Sequence, residues 1–231
     1  MIAEAQRQAL AGVAFEVGSA ESLDDLDRYD AILCNSAFQW FHDPPSALAN
    51  CLAALRSGGR MAIQAPARSD YCPNFVQAVG TLRSDPRTRG DFDRFRSPWF
   101  FLESADAYAR VFTDVGFAVE FSEITTVREQ CTPAHAHEVF ESGAAAGYLN
   151  AGCYPTPPSP DYFPAARALI ARQLQSQAID GVLELTFFRI YLLARKPCAA
   201  ADRRSATWRP TSPSIGRVRA PRHAACAART A

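Results

Sequence analysis

An α/β fold is predicted by two apolar strand patterns and by the helical pattern that lies between them. The first strand pattern runs from Asp30 to Asn35, and its unbroken apolar stretch is typical of a strand buried on both faces of a sheet. The second runs from Arg60 to Ala65 and stops at Pro66. Because a helix connects the two strands, we expect them to pair in parallel.

The connecting helix has a clear start signal. Asp43 is a good N-cap residue, and Pro44 and Pro45 occupy the first turn, where proline is tolerated. The helix is expected to end at the glycine pair 58–59. Its apolar positions share one face, and they are Ala47, Leu48, Cys51, Leu52 and Leu55.

Further elements follow from the same patterns. Upstream, residues 2–11 are predicted to form a short helix that ends near Gly12, and Val13 to Val17 alternate as a strand does. Downstream, helices are expected at 73–83, 104–115, 132–145 and 163–179, strands at 117–127 and 182–194, and a loop rich in Gly and Pro at 150–160.

Composition limits the classes of function. The chain has 231 residues, of which 48% are hydrophobic, and its apolar runs are too short to span a membrane. Seven cysteines occur without a C-x-x-C pair, as expected of thiols in a reducing compartment. A cytoplasmic location is therefore expected. The four histidines do not suggest a metal site, because His135 and His137 fall on different helix faces.

The net charge of zero conceals two regions of opposite sign. Residues 198–231 contain seven arginines and one acid, so this part carries +6 and residues 1–197 carry −6. An acidic body favours a small-molecule substrate and argues against nucleic acid. The basic part could be a nucleic-acid arm, but its Ala/Arg/Pro/Ser bias favours a disordered tail. We therefore predict one domain, 1–197, followed by a disordered tail, 198–231.

Three segments together resemble a known family. They read V-A-F-E-V-G-S-A-E from Val13, Y-D-A-I-L-C-N-S-A-F-Q-W-F-H-D-P from Tyr29 and L-R-S-G-G-R-M-A-I-Q-A-P from Leu55. With the turn Val115-Gly116-Phe117, this order is similar to the class I S-adenosylmethionine-dependent methyltransferases, in particular the trans-aconitate and malonyl-carrier-protein group. The resemblance covers about residues 1 to 196.

The resemblance implies a Rossmann-like class I methyltransferase core. In that family a strand, a glycine-rich loop and a second strand ending in an acid come before the segments quoted above. We therefore expect an N-terminally truncated core in which strands 1 and 2 are missing. In the family's sheet these strands lie between Val13–Val17 and Asp30–Asn35, so the apolar edge of the latter strand would be free to support self-association.

Two segments are implied to bind the cofactor, S-adenosylmethionine. The resemblance assigns Gly18, Ser19 and Ala20 to the adenine edge, although Ser19 stands where the family usually has an acid. As a neutral acceptor, Ser19 would make a bond about half as strong as an ionised group does. A plain exit from the strand is the alternative interpretation. The second segment, Asn35, Ser36 and Ala37, is implied to line the methionine end near the transferring methyl group.

The substrate pocket is implied to contain five side chains, which are Trp40, Trp99, Tyr148, Arg189 and Tyr191. Arginine suits a carboxylate because its planar guanidinium can bind both oxygens. Other roles stay open, since Trp40 could belong to the core and Arg189 could be a surface or inter-strand residue. No catalytic base is identified, and methyl transfer to a carboxylate demands none.

Two functional hypotheses remain. The first is an S-adenosylmethionine-dependent methyltransferase acting on a small carboxylic acid or acyl substrate. The second is a non-catalytic methyltransferase-fold remnant that serves as a binding or assembly module or is inactive, since the expected missing strands would carry cofactor contacts. A nicotinamide-dependent oxidoreductase is disfavoured, because N-S-A-F-Q-W followed by L-R-S-G-G-R is not typical of that family.

Overall fold

A computed structural model describes residues 2–7 and 11–198 of the chain. The tail predicted to be disordered lies outside the described residues except for Cys198, and so do residues 8–10 of the predicted first helix. No helix in the described ranges is long and apolar enough to cross a membrane.

Eight α-helices and four strands form the described structure. The helices are α1 Ile2–Arg7, α2 Pro44–Ala54, α3 Pro73–Gly80, α4 Arg89–Phe92, α5 Ala105–Val115, α6 Pro133–Ser142, α7 Ala145–Tyr148 and α8 Tyr162–Ser176. The strands are β1 Tyr29–Asn35, β2 Leu55–Pro66, β3 Ala118–Cys131 and β4 Leu183–Arg195.

The four strands make one mixed sheet in the order β1-β2-β4-β3. β1 and β2 are parallel, as predicted from the helix α2 that connects them. β4 runs antiparallel to both β2 and β3. The carboxyl ends of β1, β2 and β3 therefore meet at one edge of the sheet, and this carboxyl edge is where ligands bind in folds of this kind.

Helix starts follow the predicted capping residues. The Asp43 side chain accepts a hydrogen bond from the amide of Ser46 at 3.2 Å, and Thr132 accepts one from the amide of His135 at 3.2 Å. Each satisfies an amide that the first helical turn would otherwise leave without a partner. The predicted starts of α2 and α6 are confirmed.

The predicted strand Val13–Val17 is wrong for the described structure. These residues have no strand assignment, and Val13 and Val17 are 51% and 86% exposed. No strand in the described ranges pairs with them. Alternation alone does not hold a segment extended, because a strand needs hydrogen bonds to a neighbour and a face to bury.

The predicted end of α2 is also wrong. The helix stops at Ala54, and β2 begins at once with Leu55, so the glycine pair lies inside the strand. Gly58 has φ +77°, and a Cβ on Gly59 would lie 2.9 Å from the Arg56 carbonyl oxygen and 3.1 Å from that of Asp30. The glycines therefore let the chain turn and pack closely at the start of β2 rather than end the helix.

The two faces of the sheet are unequally covered. One face is buried against α2 and α5, in a cluster that includes Met61, Ile63 and Leu192. On the other face, the strand register aligns one apolar row across all four strands, namely Leu33, Ala62, Leu193 and Phe121. Leu33 is 75% exposed and Phe121 47%. The prediction that β1 is buried on both faces is therefore wrong for the described chain, because no described element covers this open face.

A second apolar cluster lies beyond the carboxyl edge. It joins α3, α6 and α8 to the first half of β4. Its large buried members include Phe75, Phe140, Tyr162 and Leu185. The carboxyl edge is thus bounded by the sheet on one side and by a helical layer on the other, which leaves room for a cavity between them.

Candidate functional site

A cavity of about 650 Å³ lies at the carboxyl edge. This volume is within the range of small-molecule sites. Its walls come from the ends of β1 and β2, from β3 and β4, and from α3, α6 and the segments after them. The lining residues are Ser36, Gln39, Trp40, Pro66, Tyr71, Phe75, Trp99, Phe101, Val127, Glu129, Val139, Ser142, Gly143, Ala144, Ala146, Phe187 and Arg189.

Ser36 joins several parts of the cavity wall. It follows β1 directly and has a left-handed backbone with φ 52°, which is uncommon for a residue other than glycine. Its amide donates to the Gln64 carbonyl oxygen at 2.6 Å, and its own carbonyl oxygen accepts from Gln39 Nε2 at 2.9 Å. Its hydroxyl accepts a hydrogen bond from Arg189 Nη2 at 2.8 Å. Ser36 thereby positions two polar side chains of the cavity.

Arg189 is a half-buried cation without an anionic partner. Its Nη2 donates to Ser36 and to Gln64 Oε1, the latter at 3.0 Å, while its Nε is buried and has no partner among the described residues. No described carboxylate pairs with this guanidinium. Burial lowers the pKa of Arg189, because removal from water disfavours the charged form. The site thus has a positive charge and a free N–H that could bind an anion.

Two more buried polar atoms on the cavity wall lack partners. They are Oε1 of Gln39 and the hydroxyl of Tyr71, and both residues are less than 10% exposed. Burial, helped by the neighbouring Tyr148 phenol, raises the pKa of Tyr71, so it stays a neutral hydroxyl. The Tyr71 carbonyl oxygen accepts from the amide of Phe188, which precedes Arg189. Buried polar atoms without partners are uncommon, and three of them on one cavity indicate a ligand site.

Aromatic rings form most of the remaining wall. Trp99 is central, since its ring lies 5.7 Å from that of Trp40, 6.0 Å from Phe101 and 4.8 Å from Tyr148. Gly147 lies against the Trp99 ring, and a Cβ there would clash with it. Because Gly147 has no side chain, the indole ring of Trp99 can pack directly against the backbone of α7.

The predicted substrate residues are partly brought together. Trp40, Trp99 and Arg189 line the cavity. Tyr148 lies behind Trp99, where burial raises its pKa to about 12, and it supports the wall rather than lining it. Tyr191 is on the open face of the sheet, 36% exposed and paired in register with Gln64, and it does not line the cavity.

The residues predicted at the methionine end lie beside this cavity. Asn35 ends β1 and pairs in register with Gln64. Ser36 lines the cavity, and Ala37 begins the short helical turn Phe38–Trp40. Asn35, Ser36 and Ala37 are all exposed, so their backbone is open to a ligand at the carboxyl edge.

The residues predicted at the adenine edge form a neighbouring turn. Gly18 is exposed, and Ser19 caps the turn Ala20–Ser22 and binds the Glu21 carboxylate. Glu21 also accepts from the His42 amide at 3.1 Å, which ties this turn to the segment that follows β1. The Ser19 hydroxyl lowers the pKa of Glu21 by hydrogen bonding to its ionised form. Asn50 of α2 fixes the turn further through the carbonyl oxygens of Ala20 and Glu21.

These two segments fit the cofactor in part. An adenine amino group needs a hydrogen-bond acceptor, and the turn offers the Glu21 carboxylate. The hydroxyl of the neighbouring Ser19 is less available, because it already donates to that carboxylate and accepts from the Glu21 amide. The exposed backbone at Asn35–Ala37 allows close approach at the other end.

Several contributors to the site are absent from the predicted set. Gln39 stands within N-S-A-F-Q-W, and an amide between two aromatic residues is a signal that could have identified it. Tyr71 and Phe187 carry no such signal, because only the packing of α3 and β4 brings them to the carboxyl edge. Glu21 stands in the quoted segment G-S-A-E, next to the predicted residues.

Comparisons with known proteins agree with this architecture. The profile described as "Methyltransferase domain" matches residues 3–121. Trans-aconitate 2-methyltransferase of Deinococcus radiodurans is 31% identical over 132 residues, which are 55% of this chain and 48% of that protein. Malonyl-[acyl-carrier protein] O-methyltransferase of Porphyromonas gingivalis is 45% identical over 47 residues, or 20% of this chain and 18% of that protein.

A solved structure is similar as well. The YcgJ protein of Bacillus subtilis superposes with a TM-score of 0.49 at 19% identity, covering 85% of this chain and 76% of that one. The matches to the curated relatives span half of those proteins or less. The profile match nevertheless covers more than half of this sequence. The chain belongs to the methyltransferase domain family, whose cofactor is S-adenosylmethionine.

Proposed function

We propose that this chain transfers a methyl group from S-adenosylmethionine to a small carboxylic acid or acyl substrate held in the 650 Å³ cavity. The observation that carries the proposal is Arg189, a half-buried cation with a free Nε–H and no described anionic partner. The names of the two curated relatives, one acting on trans-aconitate and one on malonyl-carrier protein, support a substrate of this class.

The residues of the cavity would contribute binding and alignment. Asn35, Ser36 and Ala37 would hold the cofactor, which would supply an electrophilic methyl group. Arg189 would hold one oxygen of the acid and leave the second free to form the new C–O bond as the C–S bond breaks. A carboxylate is already ionised at neutral pH, so no base has to remove a proton. The rings of Trp40 and Trp99 would keep water from the acceptor and so strengthen its pairing with Arg189.

A radiolabelled methyl-transfer assay tests this proposal. The full chain is incubated with labelled S-adenosylmethionine and a panel of carboxylic acids, and base-labile methyl esters are counted. We expect ester formation that the variant Arg189→Met reduces at least tenfold, because it loses a charge-assisted hydrogen bond. Arg110→Met is the control, since Arg110 is exposed on α5. Equal activity in Arg189→Met and the wild type would contradict the role of Arg189.

A second candidate function is a binding module that retains the acid site without methyl transfer. The observation that favours it is the adenine-edge residue Ser19, a neutral side chain whose hydroxyl already binds the Glu21 carboxylate and so offers the cofactor little. Titration with S-adenosylmethionine separates the candidates. Acid binding without cofactor binding would favour the module, and micromolar cofactor binding would favour the enzyme.

A further inference from the structure

The cavity is more specific than a general carboxylate site. Its wall includes six aromatic side chains, which are Trp40, Tyr71, Phe75, Trp99, Phe101 and Phe187. Rings at these positions favour flat, apolar ligands through stacking and edge contacts. A sugar or a nucleotide would need more hydrogen-bonding groups than such a wall offers.

The charge of the cavity limits the number of carboxylates. Among the described residues that line it, Arg189 is the only cation, and Glu129 adds a negative charge. A second carboxylate would enter without a cationic partner among these lining residues. Burying an unpaired charge is costly, so the wall favours a monoanion over a di- or tricarboxylate.

The unpartnered atoms define what else the ligand carries. The orientation of the Gln39 amide is fixed, because its Nε2 donates a hydrogen bond to the Ser36 carbonyl oxygen. The other amide atom, Oε1, has no partner among the described residues, and as an oxygen it can only accept a hydrogen bond. A ligand that satisfies Gln39 must therefore present a donor such as a hydroxyl. The Tyr71 hydroxyl can donate to that same oxygen or accept from it.

These atoms belong to one connected site. Gln39 and Arg189 both bind Ser36, at its carbonyl oxygen and its hydroxyl, and Tyr71 binds the backbone of Phe188 beside Arg189. All three residues also line the same cavity.

We propose that the cavity binds an aromatic monocarboxylic acid that carries a hydroxyl group. Arg189 pairs with the carboxylate, Gln39 accepts a hydrogen bond from the hydroxyl, and Trp40, Trp99 and Phe187 enclose the ring. This inference rests on the proposed function for the choice of a carboxylic acid, and it narrows that choice to one substrate class.

Calorimetric titration of the full chain without cofactor tests the proposal. The probes are 4-hydroxycinnamate, cinnamate, methyl 4-hydroxycinnamate and trans-aconitate, which carries three carboxyl groups. We expect 4-hydroxycinnamate to bind most tightly and cinnamate about fivefold more weakly, because it lacks one hydrogen bond. The uncharged methyl ester should bind roughly 10- to 100-fold more weakly. Trans-aconitate should bind more weakly than either aromatic acid.

The variant Gln39→Met supplies a readout that does not depend on overall stability. Its readout is the ratio of the two affinities: whatever its absolute affinity for cinnamate, the variant should lose the preference for the hydroxylated acid. Tighter binding of trans-aconitate than of the aromatic acids would overturn the proposal. A hydroxyl preference that survives in Gln39→Met would do so as well.

The result separates this inference from the proposed function. Binding of 4-hydroxycinnamate without methyl transfer would support the inference and count against the enzyme. Methylation of trans-aconitate by a chain that does not bind the aromatic acids would support the proposed methyltransferase function and contradict the inference of an aromatic substrate.

Discussion

The cavity and the segment from Gly12 to Ser19 differ in the support that the rest of the chain gives them. The cavity wall consists of rings and polar groups packed between the sheet and the helical layer, and three of its polar atoms are buried. Val13 and Val17 in the segment are exposed, although their pattern is that of a strand. The difference shows that an apolar pattern becomes a strand or a site only where neighbouring elements provide contacts.

The largest expected effect concerns the cavity wall, at the contact between Gly147 and Trp99. Gly147→Ala should destabilise the fold by about 1–3 kcal/mol, because the new methyl group clashes with a ring that is itself tightly packed. The measurement is the free energy of unfolding in urea.

Gly80→Ala is the matched control for this substitution. Gly80 also lies in a helix, but a Cβ there meets nothing within 4 Å, so we expect about 0.5–1 kcal/mol of stabilisation. If both variants have the same free energy of unfolding, Trp99 is not tightly packed against Gly147. The cavity wall would then not be better packed than segment 12–19.

The next effect concerns Lys196, the only lysine of the chain. Its Nζ donates to the carbonyl oxygens of Leu55 and Ala53 at 2.6 and 3.3 Å and to the Asp27 carboxylate at 2.8 Å. It thus joins the end of β4 to the end of α2 and to the segment before β1. Lys196→Met should cost about 1–2 kcal/mol of unfolding free energy, because carbonyl groups at a helix end lose a cationic partner.

Arg56→Met is the control for Lys196. Arg56 pairs with Asp30 at 2.7 Å, but both side chains are more than half exposed, so the loss should stay below about 0.5 kcal/mol. An equal loss in the two variants would show that Lys196 acts only as a surface ion pair.

A smaller effect is expected at Glu21, where the supported part of the chain begins. Glu21→Gln should cost less than about 1 kcal/mol at pH 7, because the carboxylate is close to the surface. The pKa of Glu21 is lowered from an ordinary value of 4.5, so its stabilisation is present above that pH and is lost as the pH falls through the lowered pKa. The difference in unfolding free energy between variant and wild type should therefore be present at pH 7 and become smaller as the pH is lowered below 4.5. A difference that stays constant from pH 7 down to pH 3 would contradict this.

The smallest effect is expected in the exposed segment. Val17→Ser should change the free energy of unfolding by no more than about 0.5 kcal/mol, because 86% of Val17 is already in contact with solvent. Ile190→Val, in the buried face of β4, should cost about 0.5–1.5 kcal/mol in the same experiment. A loss above 1 kcal/mol in Val17→Ser would mean that the segment pairs as the sequence pattern predicts.

The α/β class, the parallel pair β1–β2 and the helix starts could be predicted, because they depend on local signals such as Asp43 and Thr132 and on the connection between adjacent strands. The site was less accessible. Arg189 and Trp99 were predicted from a family resemblance, whereas Tyr71 and Phe187 depend on contacts between elements far apart in sequence. Tyr191 was assigned to the pocket by the family resemblance. It lies on the same face of β4 as Arg189, two residues further along the strand, but it does not line the cavity.

The open face of the sheet bears on the predicted self-association. Leu33 and Phe121 lie at the two outer strands of one apolar row, and β1 has no described neighbour on its second side. Exposed edges and apolar faces of this kind recruit other chains. Association through the edge of β1 stays a prediction, and sedimentation of the full chain over a range of concentrations would test it.

Ser36 has a consequence for the thermodynamics of ligand binding. It belongs to the segment predicted to hold the cofactor, and its hydroxyl binds the guanidinium that we propose as the carboxylate site. Two ligands that share one residue are energetically linked, and such linkage is reciprocal. Whatever factor the cofactor adds to the affinity for the acid, the acid must add to the affinity for the cofactor. Titration of each ligand in the presence of the other would measure that shared factor.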